Sequence, residues 1–152
     1  EVISSKYEKV KLGKGIQYRY YIGNWGRTPN FIELTADKTG TIGQFRLEEV
    51  ETNKKNYALL LIASVNIKEP GEYTFYSGSN DGTKLYIGDV LLIDNDGGHG
   101  YHEKYGKINL SKGVHKIEVR YFQQGGGQEL KVSWQGPGFE KREITKEDLS
   151  NN

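Results

Sequence analysis

GEYTFYSGSNDGTKLYIGDVLLI, residues 71–93, is the stretch from which the architecture can be read. Residues 72–77 alternate, directing Tyr73 and Phe75 to one side, as a half-buried strand requires. Asn80-Asp81-Gly82 breaks the alternation. Residues 83–87 and 90–94 then read as a hairpin about Gly88-Asp89, a turn chemistry that suits the twist of paired strands. Pro70-Gly71 supplies the turn in front.

The same period-2 pattern continues on both sides. Residues 15–25 (GIQYRYYIGNW) place Ile16, Tyr18, Tyr20 and Ile22 on one face. Residues 57–65 (YALLLIASV) are apolar on both faces, which predicts a central strand covered on each side. Residues 107–110 and 114–122 read as strands around Ser111-Lys112-Gly113. Residues 129–135 send Leu130, Val132 and Trp134 inward, and Gly136-Pro137-Gly138 is expected to end the sheet. Residues 95–106 (NDGGHGYHEKYG) and 123–128 (QQGGGQ) read as loops. Thr145 to Asp148 fits a capping pattern for one short helical turn. Strands at this spacing predict an all-β fold, an antiparallel sandwich or barrel, in one module over 1–152 with its core at about 15–149.

Composition agrees and narrows the function. Glycine is 20 of 152 residues, against a usual share of roughly 7%, and 11 of the 18 aromatics are Tyr. With 21 Lys+Arg against 20 Asp+Glu, the chain lacks the basic excess that phosphate neutralisation needs, so nucleic acid is not an expected partner. The longest apolar run, residues 58–63, is far short of the roughly 20 residues that cross a bilayer, so no transmembrane segment is expected. The chain has neither Met nor Cys, and reads as a mature piece or excised module.

Catalytic signatures are missing from the sequence. It contains no Gly-x-Ser-x-Gly elbow, no P-loop and no dinucleotide fingerprint; the triple Gly125-Gly126-Gly127 opens no helix. The expectation is a non-catalytic module. Asp94-Asn95-Asp96-Gly97 resembles the opening of a calcium loop, but the next position the EF-hand template needs falls on Gly98, and an Asx-rich turn reads equally well. His99 and His102 could pair on a metal, although loop histidines are ordinarily surface groups; His115 reads as a hydrogen-bonded core histidine. In a sandwich, loops at alternate strand ends collect at one pole. Asn80-Asp81 and residues 123–128 would bring oxygens there that suit Ca²⁺ and, through it, sugar hydroxyls.

Residues 71–93 with Asp94-Asn95-Asp96-Gly97-Gly98-His99-Gly100, residues 113–122 (GVHKIEVRYF), residues 130–138 (LKVSWQGPG) and residues 20–25 (YYIGNW) together resemble the signature of PA14 domains. The resemblance implies an antiparallel β-sandwich, typically extracellular, at the cell surface or periplasmic, in glycosidases, toxins and adhesins. In the adhesin branch, two consecutive aspartates joined by a cis peptide bind Ca²⁺, and the ion binds sugar hydroxyls; a second loop adds an Asn and backbone oxygens. Asn80-Asp81 aligns with the aspartate pair, keeping one acid, and residues 123–128 align with the second loop. The expected metal ligands are therefore Asn80, Asp81, Gln123 and Gln124, holding Ca²⁺ as cofactor. The expected carbohydrate contacts are Asn80, Asp81, Asp94, Asp96, Gln124, Gly125, Gly126, Gly127 and Gln128. The partner would be a glycan, and an adjacent domain of a larger protein such as a glycoside hydrolase or surface protein. The rival expectation is a structural accessory domain that packs on a catalytic neighbour through Tyr21, Tyr76, Tyr86, Tyr101 and Tyr105.

Overall fold

The computed structural model describes residues 15–150. In these residues the chain forms strands β1 (Ile16–Ile22), β2 (Lys38–Ile42), β3 (Tyr57–Ile67), β4 (Gly71–Asn80), β5 (Thr83–Ile87), β6 (Val90–Asn95), β7 (His102–Leu110), β8 (Gly113–Gln123), β9 (Glu129–Gly136) and β10 (Phe139–Glu143). They build two antiparallel sheets, one ordered β2-β1-β3-β8-β5-β6 and the other β10-β9-β4-β7. The two apolar faces meet in one core, where Leu59, Leu61, Val65, Phe75, Leu85, Val119, Tyr121 and Trp134 are buried. This is the antiparallel sandwich expected from the alternation, because each strand can hide only one row of side chains unless something covers the other.

For β3 something does. Its second face, Ala58, Leu60 and Ile62, is buried with Tyr21, Phe31 and Phe122, and Trp25, Leu34 and Ala36 pack against them. The segment between β1 and β2 therefore lies over the outside of the larger sheet. Tyr21 is consequently buried and Ile22 exposed, so the single-face reading of residues 15–25 holds at Ile16 and Tyr20 and fails at the end of the strand. Further along β8 the outer face carries charge: Lys116, Glu118 and Arg120 are all buried, with Glu118 3.4 Å from Lys116 and 2.7 Å from Arg120. Arg120 also stands 4.2 Å over the Tyr86 ring, and burial lowers its pKa to about 10.

Two expectations need correction, and one strand is unanticipated. Residues 102–106 are not loop but the first half of β7, which pairs with β4 from Gly71↔Leu110 to Ser79↔His102. The sheet does not end at residue 136, because Gly138 at φ +86 turns the chain into β10. β2, an edge strand of sequence KTGTI, has no apolar row that would announce it. The Gly88-Asp89 hairpin forms as read, with Gly88 at φ +58. A single 3-10 turn, Lys146–Asp148, stands at the C-terminal side with the Thr145–Asp148 capping box.

β4 belongs to the smaller sheet and β5 to the larger, so residues 80–82 carry the chain from one layer to the other. A buried polar cluster underlies this crossing. Thr83 Oγ1 lies 2.7 Å from Ser77 Oγ and 3.0 Å from Ser79 Oγ, and Asn95 Nδ2 donates to the carbonyls of Ser77 and His102.

Candidate functional site at the crossing

Asp81 is the centre of the arrangement. It is buried, and its carboxylate joins two loops that are far apart in sequence. Oδ1 accepts from the His99 N–H at 3.2 Å, and Oδ2 accepts from the Gln124 N–H at 2.9 Å. The Asn80–Asp81 peptide is cis. The Asn80 carbonyl accepts from the Tyr121 hydroxyl, and the Asn80 amide nitrogen lies 3.3 Å from where a Cβ on Gly127 would stand. Asn80, Asp81 and the loop 123–128 thus share one pole, and Gly98 brings the loop 96–101 to it. A Cβ on Gly98 would lie 3.5 Å from Gln124 Oε1 and 3.9 Å from Asp81 Oδ1.

The other expected residues divide. Gln123 is fully buried and donates from Nε2 to the carbonyls of Lys54, Gly126 and Gly127, shaping the loop from beneath. Its Oε1 is buried without a hydrogen-bond donor among the described residues. Gln124 is exposed and reaches Asn24 Oδ1 at 3.4 Å. Gly125 and Gly126 face open space, and Gly126 at φ +76 holds the bend that only glycine adopts without strain. Gln128 turns inward and accepts from the Tyr57 hydroxyl at 2.6 Å.

Asp94 and Asp96 make their contacts elsewhere. Asp96 accepts from the Thr28 N–H at 2.9 Å and the Thr28 hydroxyl at 2.8 Å, with Arg27 at 3.7 Å; its side chain is 3% exposed. It anchors the covering segment between β1 and β2, so its resemblance to a calcium loop reflects an Asx-rich turn. Asp94 is exposed on β6 and caps that turn through the Asp96 N–H. His99 and His102 have ring centroids 6.3 Å apart, and both His99 ring nitrogens face backbone carbonyls, of Gly100 and Asn95. Among the described residues no group of three or more His, Cys, Asp or Glu gathers as a metal cluster. His115 is half-buried, bonded to the Ser111 carbonyl.

The tyrosine face also divides. Tyr76 and Tyr105 lie together on the smaller sheet with centroids 6.0 Å apart, and Tyr101 lies over Gly78 beside them. Tyr21 is buried and Tyr86 sits on the other sheet, so the five do not form one surface.

Two residues that motif reading passed over support the pole. Tyr57 and Tyr121 have ring centroids 6.0 Å apart in the core, and their hydroxyls hold Gln128 and Asn80 respectively. Burial pushes the Tyr57 phenol up to about 12 and raises Tyr121 further. The folded chain then holds these protons where an unfolded chain releases them near pH 10. Stability present below pH 10 is lost as pH rises from about 10 to 12, by roughly 2–3 kcal/mol for Tyr57 alone. The expected result is cooperative alkaline unfolding in that window, with phenolate absorbance rising together with loss of the far-ultraviolet signal. Persistence of the far-ultraviolet signal through pH 12 would contradict it.

Chemically, the pole offers oxygens: one carboxylate, the side-chain amides of Asn80 and Gln124, and the carbonyls of two loops. Such a set suits a hard cation like Ca²⁺, and its single formal charge points to modest affinity. It contains no nucleophile and base pair.

The PA14 domain profile matches residues 24–148. The Anti-sigma-I factor RsgI3 of Acetivibrio thermocellus is 28% identical over 125 residues, which are 81% of this chain and 18% of that protein. The chain thus spans about a fifth of that relative's length. A solved PA14 sugar-binding domain from an RTX adhesin superposes with a TM-score of 0.74 at 17% identity, covering 92% of this chain and 99% of that one. The epithelial adhesin 9 A domain of Candida glabrata, solved with Galβ1-3GlcNAc, gives a TM-score of 0.63 at 12% identity over 84% of each chain.

Proposed function

Because the chain belongs to the PA14 domain family, we propose that it is a carbohydrate-binding module whose receptor is the pole around Asn80 and Asp81. One observation carries the reading: the buried Asp81 carboxylate accepts a backbone N–H from each of two loops and so draws their oxygens to one point. Ca²⁺ is the cation this set would hold. Asp81 would supply the charge, with Asn80, Gln123 and Gln124 offering amide oxygens, of which the undonated Gln123 Oε1 is the buried one. When bound, the ion supplies open coordination positions for vicinal hydroxyls of a glycan. The module acts outside the cell and raises the local concentration of its parent protein on polysaccharide.

The test is titration calorimetry against a glycan panel, with Ca²⁺ and with chelator. Heat is expected with at least one glycan in Ca²⁺ alone. Asp81→Asn, which keeps shape and loses the charge, is expected to weaken binding roughly tenfold or more. Absence of heat with every glycan under both conditions would overturn the proposal.

The relative RsgI3 favours a second reading of what binding accomplishes. Here the parent is an anti-sigma factor, and the module reports polysaccharide to it, in place of tethering a glycoside hydrolase. The full-length gene distinguishes the two by the domain that adjoins.

A further inference from the structure

Side chains alternate along β4, so that Phe75, Ser77 and Ser79 are buried while Tyr76, Gly78 and Asn80 belong to the outer face of the smaller sheet. That face leads to the pole. Gly78 stands inside the strand, where glycine marks a close approach of another group. The group is Tyr101: a Cβ on Gly78 would lie 2.6 Å from its Cζ, so the bare backbone of Gly78 is the seat of the ring. Tyr101 ends the loop 96–101, whose His99 N–H donates to Asp81 Oδ1 at 3.2 Å, so one loop positions both the ring and the pole. Further along the face Tyr105 stands opposite Tyr76, with ring centroids 6.0 Å apart. Tyr76 itself is occupied. Lys141 Nζ lies 4.2 Å over its ring, and its hydroxyl donates to Gln135 Oε1 at 2.9 Å. Tyr101 and Tyr105 are open to solvent, at 45% and 64% exposure.

From this we infer that Tyr101 and Tyr105 seat successive rings of an extended, uncharged oligosaccharide whose end lies at the Asn80 pole. The inference rests on the carbohydrate-binding reading of that pole and adds the kind of glycan it takes. Length comes first. At roughly 3.3 Å per strand residue, Tyr76 and its partner Tyr105 lie about 13 Å along the strand from Asn80, with Tyr101 between them. A row of that length fits a chain and exceeds a single sugar. Chemistry comes next. Exposed Tyr rings offer an apolar face to the C–H side of a sugar, hydroxyls that donate and accept, and little rotamer freedom to lose. The charges between them cancel, because Glu103, opposite Gly78, pairs with Lys141 at 2.7 Å. A protein partner is served worse. The β9 residues registered with Tyr76 and Gly78 are Ser133 and Lys131, and the core of a protein interface is depleted of such groups.

The test is the dependence of affinity on chain length. Xylo-, cello-, manno- and galacto-oligosaccharides, from mono- to tetrasaccharide, are titrated calorimetrically into the whole chain in Ca²⁺. With at least one series, the tetrasaccharide is expected to bind about tenfold or more tighter than the monosaccharide. In Tyr101→Ala/Tyr105→Ala that ratio is expected to fall to about one, and in Tyr101→Phe/Tyr105→Phe most of it is expected to remain, since the ring face and not the hydroxyl carries the contact. A ratio near one in the parent chain, for every series that binds, overturns the inference and leaves the reading of the pole standing; the tyrosines then belong to an adjacent domain. A ratio that survives in the alanine variant, while its melting temperature matches the parent, overturns it as well. Absence of binding by every mono- and oligosaccharide overturns the pole and the tyrosine row together.

Discussion

Glu118→Ala is expected to lower the free energy of unfolding by about 3–5 kcal/mol, the usual result of removing one partner from a buried ionic cluster. Glu118 Oε2 accepts from Arg120 Nε at 2.7 Å and Oε1 faces Lys116 Nζ at 3.4 Å, with side-chain exposures of 2%, 11% and 3%. Removing the carboxylate leaves two cations side by side on β8, both already desolvated. The Tyr86 ring under Arg120 offsets only part of that, since such contacts are worth about 0.5–2 kcal/mol. The charge itself is not what the fold requires. Replacing all three together, Lys116→Met, Glu118→Leu and Arg120→Met, is expected to restore stability to near the parent value, because the carboxylate and the two cations it faces are then removed together. Urea unfolding of the two variants checks both statements. A loss under about 1 kcal/mol in Glu118→Ala would refute the account of the cluster.

Gly82→Ala is the second large effect. A Cβ there would come within 2.7 Å of the Gly97 nitrogen and oxygen and 2.8 Å of the Phe122 ring. Backbone cannot step aside as a flexible side chain would, so overpacking is expected to cost about 1–3 kcal/mol or more and to displace Asp81 next to it. Gly98→Ala provides the contrast. Its Cβ would meet Gln124 Oε1 and Asp81 Oδ1 at 3.5 and 3.9 Å, ordinary contact distances. It is expected to fold as the parent does while intruding on the oxygens of the pole. Thermal melts and glycan titration separate the two: Gly82→Ala loses stability and binding together, Gly98→Ala loses binding alone. Equal stability in all three proteins would show that the close approach of Gly82 to Gly97 is not a constraint.

Much of the architecture follows from local chemistry. The Gly88-Asp89 hairpin is written in adjacent residues, and β3 shows its central place because both of its faces are apolar. β2 and the first half of β7 are not visible in this way. Both lie in edge strands whose side chains largely face water, so hydrogen bonding to a neighbour rather than burial defines them. At the pole, Asn80, Asp81 and the glycine-rich loop could be singled out from residue types and from resemblance. Tyr57 and Tyr121 could not, since their hydroxyl partners lie 71 and 41 residues away. Asp96 shows the opposite failing. Its motif looks like an ion ligand, yet Thr28, 68 residues distant, claims both of its oxygens.

The placement of residues 80–82 between the sheets has a mechanical consequence. Asn80 terminates one layer, Thr83 begins the other, and Tyr121 of the second layer grips the Asn80 carbonyl of the first. On the proposed function, a cation or glycan bound at that pole would work as a clasp across the seam of the sandwich. Prying the layers apart would first have to eject the occupant, so ligand concentration becomes resistance to unzipping and to protease attack.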